Sequence, residues 1–528
     1  MISGYKMTDQ EEVRVFKSTG PVTRAELAEL ARTDHDRALT LVIAGIDSGG
    51  GAGLTADCLS VHDAGAFALC CPTALTVQSL KRVGTVMSTD PALFKETMDT
   101  LIADFANIRA VKVGLITSKE ILELTLSYLE GPLKQAMVVW DPVLTATAGN
   151  FESADLSGSL ERILRVSDVF TPNLNEALNL SGWDRGRLER EGLSALSKSF
   201  TRHGCTVLIK GGHGDERLSS RDYLASDDFS CQLVHARKSG EGAHGGGCAL
   251  SSFLAASLSA GYEIADAAAL AKAYVTAGIM HPDLKSDDHR PPVGHHEDFL
   301  QQDFIPEVYE EGFPAPRAQG FKACPLDLGF YPVLDSSEWI ERALSLGVRT
   351  LQLRIKDKSR SDLYEEIERS VRLARKYAAR LFIDDHYELA AKAGAYGVHL
   401  GMEDLRTADL DFILKAGMRL GVSTHGPYEL MKAIALKPSY VALGHIFPTN
   451  TKAMPSKPQG LWKLSREVRL IRSAGISATA IGGITLANAG ILKEMGLLSA
   501  AVVTAVTKAD DPDAAVRSWL EIFGAGGE

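Results

Sequence analysis

The sequence has few cysteines and no pattern that would join them. Its seven cysteines are scattered along 528 residues, and no two of them form a C-x-x-C pair. An odd, dispersed set argues against a disulfide framework and against a structural zinc site. We therefore expect a reducing compartment, the cytoplasm.

Long apolar runs and an excess of basic residues are also missing. No run approaches the ~18 apolar residues of a membrane-spanning helix, and the amino terminus lacks the apolar core of a signal peptide. The 56 Lys and Arg residues are outnumbered by 67 Asp and Glu, which gives a net charge of −11. We expect neither a membrane nor a nucleic-acid partner. Small anionic substrates need only a local cluster of cations, and a homo-oligomer is left open.

Length and composition indicate a folded protein of several domains. The 45% hydrophobic and 23% charged residues are ordinary for globular proteins, and the length predicts two to four domains. We predict an amino-terminal extension at 1–38, a first domain at 39–300, a linker at 301–326 and a second domain at 327–528. A regulatory arm is the alternative interpretation of the extension.

The first domain alternates short apolar runs with helix-like segments, which is typical of a parallel α/β sheet. An alanine-rich stretch at 247–281 predicts one or two buried helices. The predicted strands are LTLVIAG (39–45), AVKVG (110–114), MVVWDPV (137–143), VFTPN (169–173) and TVLIKGG (206–212).

Two glycine-rich segments of this domain each open a helix. GIDSGGGAGLTAD (45–57) follows a strand but lacks the Gly-Lys-Ser/Thr of a Walker loop. In AHGGGCAL (243–250), Gly245, Gly246 and Gly247 can turn their N–H groups toward one point at a helix N-terminus. Such a point is suited to a transferring phosphoryl group. From the residues alone, an ordinary tight turn is an equally good interpretation.

Taken together, the motifs of this half resemble the hydroxymethylpyrimidine and phosphohydroxymethylpyrimidine kinases, which have a ribokinase-like α/β/α sandwich fold. The resemblance implies ATP as co-substrate and Mg²⁺ as cofactor. The motifs, in order, are GIDSGGGAGLTAD (45–57), TALTVQ (73–78), VKVG (111–114), DPV (141–143), TPNLNEA (171–177), KGGH (210–213) and HGGGC (244–248).

The resemblance assigns roles to particular residues of the first domain. Asp57 and Gln78 would hydrogen-bond the aminopyrimidine, and Gly45 and Ala52 would line its pocket. Asp141, Asn173 and Glu176 would surround magnesium and the nucleotide phosphates, and Lys210 would contact those phosphates.

Cys248 stands where the resemblance places the catalytic base, next to the glycine N–H donors of the same loop. A free thiol has a pKa of about 8.5, and a helix N-terminus lowers that value, so we expect a thiolate here. A small buried apolar residue is the alternative for an isolated cysteine. Gly246 replaces the usual threonine of the family loop, so a hydroxyl is lost.

The second domain contains eight strand candidates in about 200 residues, most of them separated by helix-like segments. This rhythm predicts a small TIM barrel with polar residues at the carboxyl ends of its strands. The candidates are FYPVLD (330–335), TLQLRI (350–355), RLFIDD (380–385), YGVHLG (396–401), RLGVST (419–424), YVALGHIF (440–447), TAIGGI (479–484) and AAVVTAV (500–506).

The strand ends of this barrel predict two anionic subsites. Gln352, Arg354 and Lys356 alternate and therefore share an inward face. Carboxylates at Asp384-Asp385 and in HLGMED (399–404) would face these cations, which suggests a magnesium-bound diphosphate. A surface salt-bridge lattice is the alternative. The loops after strands seven and eight are the recurrent phosphate site of this fold.

The barrel motifs closely resemble thiamine-phosphate synthase. The resemblance implies diphosphate contacts by Arg354, Lys356 and Lys452 with Ser423 beside them, and magnesium ligands at Asp385 and Asp404. Further substrate contacts are implied at Gln352, Asp384, Thr449, Thr451, Gly483 and Thr504. The motifs are YPVLD (331–335), QLRIK (352–356), HLGMEDL (399–405), GVSTH (421–425), GHIFPTNTK (444–452) and AIGGIT (480–485).

The barrel also departs from its family. The third strand usually ends Asn-Asp-Arg, whereas Asp384-Asp385-His386 stands here, and Met402 replaces a glutamine. A carboxylate thus replaces an amide and a cation is lost, which we expect to weaken diphosphate binding or to raise the magnesium requirement.

These resemblances imply a bifunctional enzyme of thiamine biosynthesis. The kinase would phosphorylate 4-amino-5-hydroxymethyl-2-methylpyrimidine and its monophosphate, and the barrel would couple the diphosphate with thiazole phosphate. Two alternatives stay open: an enzyme in which only one domain is active, and a non-catalytic regulator that binds thiamine precursors.

Overall fold

The computed structural model describes residues 37–79, 82–144, 153–212, 219–236, 243–284, 291–357, 361–449 and 457–527. The chain forms two compact units, and the division between them falls between Pro316 and Arg317. Most of the predicted extension at 1–38 lies outside the described residues. Within the part of the chain that the structure describes, no helix is long and apolar enough to cross a membrane.

The first unit is built on a ten-stranded mixed sheet of the ribokinase-like kind, with the strand order β10-β9-β8-β7-β6-β5-β4-β1-β2-β3. Strands β1, β2, β4, β5, β6 and β7 pair in parallel, and antiparallel strands extend both edges. The strands are Leu39–Asp47 (β1), Phe67–Gln78 (β2), Val83–Ser88 (β3), Ile108–Val113 (β4), Met137–Trp140 (β5), Val169–Phe170 (β6), Thr206–Ile209 (β7), Ser219–Ala225 (β8), Ser230–Ala236 (β9) and Glu307–Glu310 (β10).

Helices connect these strands and begin at residues that suit a helix N-terminus. The Asp90 side chain accepts hydrogen bonds from the first turn of α2, whose first residue is Pro91. The predicted alanine-rich region forms two helices, α7 and α8. The helices are Gly53–Asp63 (α1), Pro91–Asp104 (α2), Lys119–Glu130 (α3), Leu160–Val166 (α4), Leu174–Ser181 (α5), Arg185–Thr201 (α6), Gly246–Ser259 (α7) and Ile264–Met280 (α8), with a 3-10 turn at Ser157–Ser159.

The segment predicted as a linker contains ordered structure. Glu307–Glu310 pairs antiparallel with β9 at the edge of the first unit's sheet. Farther along, the N–H of Arg317 donates to Ala435 O, and the N–H of Phe321 donates to Lys437 O, so these residues contact the second unit. The 301–326 segment is thus shared between the two units.

The second unit is a closed barrel of eight parallel strands in sequence order, β11 to β18. This confirms the prediction of a TIM-type barrel. The strands are Gly329–Leu334 (β11), Thr350–Leu353 (β12), Arg380–Asp384 (β13), Gly397–Leu400 (β14), Arg419–Thr424 (β15), Tyr440–Gly444 (β16), Ser477–Ile481 (β17) and Ser499–Val502 (β18). The helices are Ser337–Ser345 (α9), Leu363–Lys376 (α10), Tyr387–Ala393 (α11), Met402–Leu405 (α12), Leu410–Lys415 (α13), Pro427–Ala435 (α14), Gly460–Ala474 (α15), Ala489–Glu494 (α16), Thr504–Thr507 (α17) and Pro512–Phe523 (α18).

Aromatic rings fill the barrel interior. Tyr331, Phe382 and Tyr440 are buried together, and the Phe382 and Tyr440 rings meet edge to face at 4.8 Å. Gly421 makes room for this cluster, because a Cβ there would lie 2.2 Å from the Tyr440 ring. The inward positions thus form a packed floor beneath the strand ends.

The last helix seals the outside of the barrel through Trp519. This side chain is 0% exposed, and its ring stacks on Phe330 of β11 with centroids 5.6 Å apart. We predict that Trp519→Ala lowers the stability of the barrel by about 3–5 kcal/mol, because it leaves a cavity under α18. Scanning calorimetry of the full chain should show the barrel transition moving down by roughly 10 °C.

The control is Trp339→Ala, which removes a partly exposed indole from α9 of the same unit. This variant should move the transition much less. Equal shifts for the two variants would contradict the importance of the Phe330 stack.

Candidate active sites

The turn after β1 is held by the side chain of Asp47. Its carboxylate accepts hydrogen bonds from the N–H of Gly49 at 2.8 Å and of Ala52 at 2.9 Å. His244 Nε2 lies 3.2 Å from the same carboxylate. Burial alone would raise the pKa of Asp47, but these contacts hold its pKa below the ordinary value. An ionised Asp47 therefore fixes the turn that carries Ala52.

The second glycine loop packs directly against this turn. Gly245 has a φ of +81°, and a Cβ on it would lie 1.9 Å from Gly51 O. A Cβ on Gly51 would in turn lie 2.7 Å from the ring of His244. Helix α7 begins at Gly246, so the N–H groups of Gly246 and Gly247 belong to its first turn and need partners from outside the helix. The two predicted glycine segments therefore form one site.

Gln78, which was predicted to contact the pyrimidine, reaches this site from the end of β2. Its Nε2 lies 3.3 Å from His244 Nε2. Gly45 lies behind the turn, where a Cβ on Gly53 would come within 2.3 Å of Gly45 O. Gly53 has a φ of +57°, so only glycine fits this approach. Gln78 thus contacts His244, and Ala52 is held by Asp47, the carboxylate that His244 also contacts.

Asp57, which was predicted to hydrogen-bond the pyrimidine, forms a buried ion pair in this structure. It is 0% exposed, and its carboxylate accepts hydrogen bonds from Lys112 Nζ at 2.8 Å and from Ser252 Oγ at 2.7 Å. Helix α1 directs this carboxylate toward Lys112. The positive charge of the lysine compensates the negative charge of Asp57, which has no access to water. In this structure Asp57 holds Lys112 in place, and its contact with a pyrimidine stays a prediction.

Lys210 and Asp141 form an ion pair at the N-terminus of α7. Lys210 Nζ lies 2.6 Å from Asp141 Oδ1, and Ser251 Oγ donates to Asp141 Oδ2 at 3.1 Å. A Cβ on Gly247 would lie 3.2 Å from Lys210 Nζ. Burial alone would lower the pKa of Lys210, but Asp141 and Glu176 raise it, so the lysine is a cation. A cation, a carboxylate and helix N–H groups therefore meet at one point, as phosphoryl transfer requires.

Asn173 and Glu176 lie beside this pair and form the cap of α5. The Asn173 side chain accepts from the N–H of Glu176 at 2.9 Å, and the Glu176 carboxylate accepts from the N–H of Asn173 at 2.7 Å. Burial raises the pKa of Glu176 to about 7, with Lys210 opposing the rise and Asp141 adding to it. The two predicted nucleotide residues thus shape the strand end next to Lys210, and much of their hydrogen bonding is local.

Cys248 lies in the first turn of α7, where its sulfur accepts a hydrogen bond from the N–H of Gly53. Burial raises the pKa of Cys248 to about 11, Lys112 opposes the rise, and Asp57 and Asp141 add to it. The sequence-based expectation of a thiol with a lowered pKa is therefore wrong for this structure. The helix N-terminus is present, but loss of water and two nearby carboxylates outweigh it.

Two residues of this site carried a signal in the sequence that motif matching left unused. Lys112 is a charged residue inside the apolar strand β4, and it is 0% exposed; a lysine in a doubly covered parallel strand is rare unless paired. His244 directly precedes the glycines and contacts both Asp47 and Gln78. The distance along the chain between these partners hid their contact.

The barrel has a cavity of about 680 Å³ at the carboxyl ends of its strands. It gathers most of the residues that sequence analysis predicted for the second domain. The predicted residues that line it are Gln352, Arg354, Asp384, Asp385, Asp404, Ser423, Thr449, Gly483 and Thr504.

Among the predicted residues that the structure describes, Lys356 is not part of this lining. Lys356 is exposed and lies beyond the end of β12 at Leu353, so the expected alternation along the strand stops before it reaches this lysine. Thr451 and Lys452 lie outside the described residues.

Arg354 makes an ion pair inside the cavity. Its Nε lies 2.9 Å from Asp384 Oδ2, and the Asp384 side chain is only 12% exposed. Burial raises the pKa of Asp384 to about 7, the charges of Asp385 and Asp404 add to the rise, and Arg354 opposes it. Asp385 has a φ of +61°, a left-handed conformation that aspartate tolerates better than most residues. Arg354 and three carboxylates therefore line the same cavity, and Asp384 is the one that pairs with the arginine.

Ser423 is oriented from beneath by a chain of buried side chains. His399 Nε2 lies 2.8 Å from Ser423 Oγ, and His399 Nδ1 lies 2.7 Å from Tyr440 Oη. The Tyr440 hydroxyl is in turn 2.7 Å from that of Tyr331. Burial lowers the pKa of His399 to about 4, so this imidazole is neutral at physiological pH. Sequence analysis missed His399, although it begins the HLGMED motif.

The other side of the cavity is formed by the ends of β16, β17 and β18. Gly483 has a φ of +66°, and a Cβ on it would lie 2.5 Å from Pro448 O. Thr504 and Lys508 belong to the same wall, and Lys508 is a cation that sequence analysis did not single out. This wall coincides with the recurrent phosphate site of TIM barrels.

The carboxylates of the cavity fit a divalent cation that is shared with a substrate. Asp385 and Asp404 supply oxygen atoms, and their repulsion of Asp384 shows that negative charge is concentrated here. Within the described ranges, no three His, Cys, Asp or Glu side chains converge on one metal position. Mg²⁺ commonly takes one or two carboxylates and completes its coordination with substrate phosphates and water, which agrees with this arrangement.

Comparison with known families identifies both halves. Residues 47–293 match the family profile of phosphomethylpyrimidine kinase, and residues 331–506 match that of thiamine monophosphate synthase. The thiamine-phosphate synthase of Citrobacter koseri is 53% identical over 208 residues, which are 39% of this chain and 98% of that protein.

Two solved structures resemble the first unit. A phosphomethylpyrimidine kinase from Clostridium difficile is 28% identical with a TM-score of 0.38, over 45% of this chain and 99% of that one. A pyridoxal kinase from Staphylococcus aureus, in complex with AMP-PCP and pyridoxal, is 25% identical with a TM-score of 0.45, over 52% of this chain and 100% of that one.

A ribokinase-like phosphotransferase domain and a phosphate-handling barrel define a two-domain enzyme that transfers groups between phosphorylated metabolites. Through its barrel the chain belongs to the thiamine-phosphate synthase family, and a phosphomethylpyrimidine kinase domain precedes the barrel. Both domains of a bifunctional enzyme of thiamine biosynthesis are therefore present in one chain.

The raised pKa of Cys248 predicts how this thiol reacts in the free enzyme. Because the thiolate is the nucleophile and the pKa is about 11, iodoacetamide labelling should accelerate roughly tenfold for each pH unit between 7 and 10. Mass spectrometry of the peptide that contains Cys248 measures this rate.

Cys70 provides the comparison within the same digest. A hydrogen bond from Cys58 lowers the pKa of Cys70, so its labelling rate should level off at a lower pH. A rate at Cys248 that is already constant above pH 8 would contradict the burial argument.

Proposed function

We propose that the two domains catalyse successive steps toward thiamine phosphate. The first domain transfers phosphoryl groups from ATP to 4-amino-5-hydroxymethyl-2-methylpyrimidine and then to its monophosphate. The barrel couples the resulting diphosphate with 4-methyl-5-(2-phosphoethyl)thiazole and releases pyrophosphate. One observation carries this proposal most strongly: a barrel cavity with Arg354 beside three carboxylates, in a chain that also has a complete glycine-loop phosphoryl site.

In the kinase domain, catalysis rests on positioning and charge neutralisation. Lys210 binds a phosphate of ATP, and the N–H groups of Gly245, Gly246 and Gly247 stabilise the phosphoryl group as it moves. Asn173 and Glu176 support the nucleotide side of the site. Gln78, Gly45 and Ala52 hold the aminopyrimidine, so that its hydroxymethyl oxygen faces the glycine loop.

Cys248 accepts the proton of the pyrimidine hydroxyl. A thiol with a pKa of about 11 is rarely ionised at neutral pH, but phosphoryl transfer goes through a loose transition state in which the attacking hydroxyl loses its proton late. The thiol must therefore first release its own proton to water, and the thiolate that results then accepts the proton of the attacking hydroxyl.

In the barrel, the protein stabilises the leaving group and aims the thiazole. Loss of diphosphate leaves a methylene cation that the aminopyrimidine stabilises, so no covalent nucleophile is needed. Arg354, Lys356 and Lys452 neutralise the diphosphate, with Ser423 beside them. Gln352 and Asp384 contribute to the same side, and Thr449, Thr451, Gly483 and Thr504 hold the thiazole phosphate.

Magnesium fits both sites. When bound, it supplies a positive charge that neutralises phosphate oxygens and favours departure of the leaving group. Asp385 and Asp404 would hold it in the barrel, and Asp141 would do so in the kinase. A cytoplasmic location is part of the proposal, because all seven cysteines are free thiols in the structure.

The function is tested with the full chain in one reaction. With the hydroxymethylpyrimidine, ATP, magnesium and thiazole phosphate present, mass spectrometry should detect thiamine phosphate. Omitting ATP and supplying the pyrimidine diphosphate tests the barrel alone. Thiamine phosphate only in the second reaction would indicate that the barrel alone is active, and binding without turnover in both would indicate a regulator.

We predict that Cys248→Ala lowers kcat of pyrimidine phosphorylation by about 100-fold, the lower range of general-base effects. The KM for the pyrimidine should change little, because the thiol does not bind the ring. Coupling of supplied diphosphate by the same preparation should be unchanged, which controls for folding. Cys205→Ala, at a buried cysteine after α6, should leave both rates intact; an unchanged kcat for Cys248→Ala would remove its role as base.

We predict that Asp404→Ala reduces coupling by at least about 100-fold at about 1 mM magnesium, because one of two carboxylate ligands is lost. Raising magnesium should restore part of the rate, while pyrimidine phosphorylation stays unchanged. The matched control is Glu403→Ala, which removes an exposed carboxylate from the adjacent position. Normal coupling by Asp404→Ala at low magnesium would refute its role as a ligand.

A further inference from the structure

The cation predicted to receive the diphosphate is already paired with an anion of the protein. Arg354 Nε lies 2.9 Å from Asp384 Oδ2, with side-chain exposures of 32% for the arginine and 12% for the aspartate. Both side chains line the cavity. The arginine can therefore reach a ligand, but the carboxylate holds part of its donor edge.

This pairing is a departure from the family pattern, in which an amide stands at the position of Asp384 and an arginine at that of His386. An amide would leave the charge of Arg354 uncompensated for a ligand. The strand end carries two consecutive carboxylates, Asp384 and Asp385, followed by His386. His386 does not replace that cation in the cavity, because it is not among the lining residues.

We propose that Asp384 acts as an internal counter-anion that occupies Arg354 and makes diphosphate binding conditional on a divalent cation. The inference rests on the proposed coupling function of the barrel. A free diphosphate must compete with Asp384 for Arg354 and meets the charges of Asp385 and Asp404 as well. When a divalent cation is held by Asp385 and Asp404, Asp384 gains a second positive partner and its hold on Arg354 weakens.

The geometry favours this role over a purely structural ion pair. A structural pair serves to cancel charge in a dry interior, as Asp57 and Lys112 do with 0% exposure on both sides. Arg354 is instead one-third exposed to the cavity that binds substrate. Asp384 lines the same cavity as Asp385 and Asp404, so a cation held by those two residues also acts on Asp384.

The test is calorimetric titration of the full chain with inorganic pyrophosphate, with EDTA and then with saturating magnesium. Without metal, Asp384→Asn should bind pyrophosphate about tenfold more tightly than the parent, the order of one partly buried charge-assisted contact. With magnesium, Asp384→Asn should bind pyrophosphate no more tightly than the parent, or less tightly, because the variant lacks a carboxylate that attracts the magnesium ion. Titration with magnesium alone should show weaker binding to the variant.

Two further variants make the result specific. Asp335→Asn removes a carboxylate at the end of β11 that does not line the cavity, and it should leave all affinities unchanged. In an Arg354→Gln background, adding Asp384→Asn should no longer change the affinity for metal-free pyrophosphate, because the contested cation is gone. A persistent tenfold effect of Asp384→Asn in that background would mean that Asp384 acts by general repulsion and would overturn the proposal.

Pyrophosphate that binds Asp384→Asn no better than the parent without metal would also overturn it. Failure of the proposed function is separate, since it would appear as absent thiamine phosphate formation while these binding differences persist. The melting temperature of each variant shows whether it is folded, and Asp384→Glu, which keeps the charge, should retain the parent's dependence on magnesium.

Discussion

Charge that is removed from water must be compensated nearby, and this constraint organises both halves of the chain. Carboxylates at the ends of parallel strands or on the adjoining helix are each matched by one cation: Asp57 by Lys112, Asp141 by Lys210, and Asp384 by Arg354. The three pairs differ in burial, and we infer that they differ in role as well. The fully buried pair supports the glycine loops from below, whereas the partly exposed pairs present a cation to a ligand. Removing one partner of a buried pair leaves an uncompensated charge, so it destabilises the fold more than the loss of a surface pair does.

The same constraint explains why the thiol of Cys248 is not readily ionised. A helix N-terminus favours a thiolate, but the sulfur is surrounded by carboxylates that other residues need. Lys112 is the nearest favourable charge, and it already serves Asp57. The N–H groups of the loop therefore lower the pKa of Cys248, whereas the buried carboxylates raise it. The sequence motif reveals the glycine loop but not the buried carboxylates around it.

Sequence reasoning recovered the barrel strands because parallel strands covered on both faces are continuous apolar runs. It recovered five of the six parallel strands of the kinase sheet for the same reason. The parallel strand β2 was missed, because buried and more exposed residues alternate along it. The antiparallel edge strands β3, β8, β9 and β10 were missed as well, since segments such as Ser219–Ala225, which begins with four polar residues, are not continuous apolar runs. Among the site residues, those within one motif were brought together as expected. Two features could not be predicted from the local sequence: Asp57 accepts a hydrogen bond from Ser252, 195 positions away, and β12 ends at Leu353, before Lys356.

A chain with a net charge of −11 handles several phosphorylated molecules because its site cations are not left exposed as a basic patch. Each is held by a carboxylate, which fixes its position and offsets its charge in the unliganded site. A ligand phosphate must then compete with that carboxylate for the cation. The cost is weaker binding of a free anion, and a divalent cation removes that cost by taking over the displaced carboxylate. The sites would thus bind phosphates that carry a divalent cation better than free phosphates. The metal-bound form is the one in which ATP and diphosphates react.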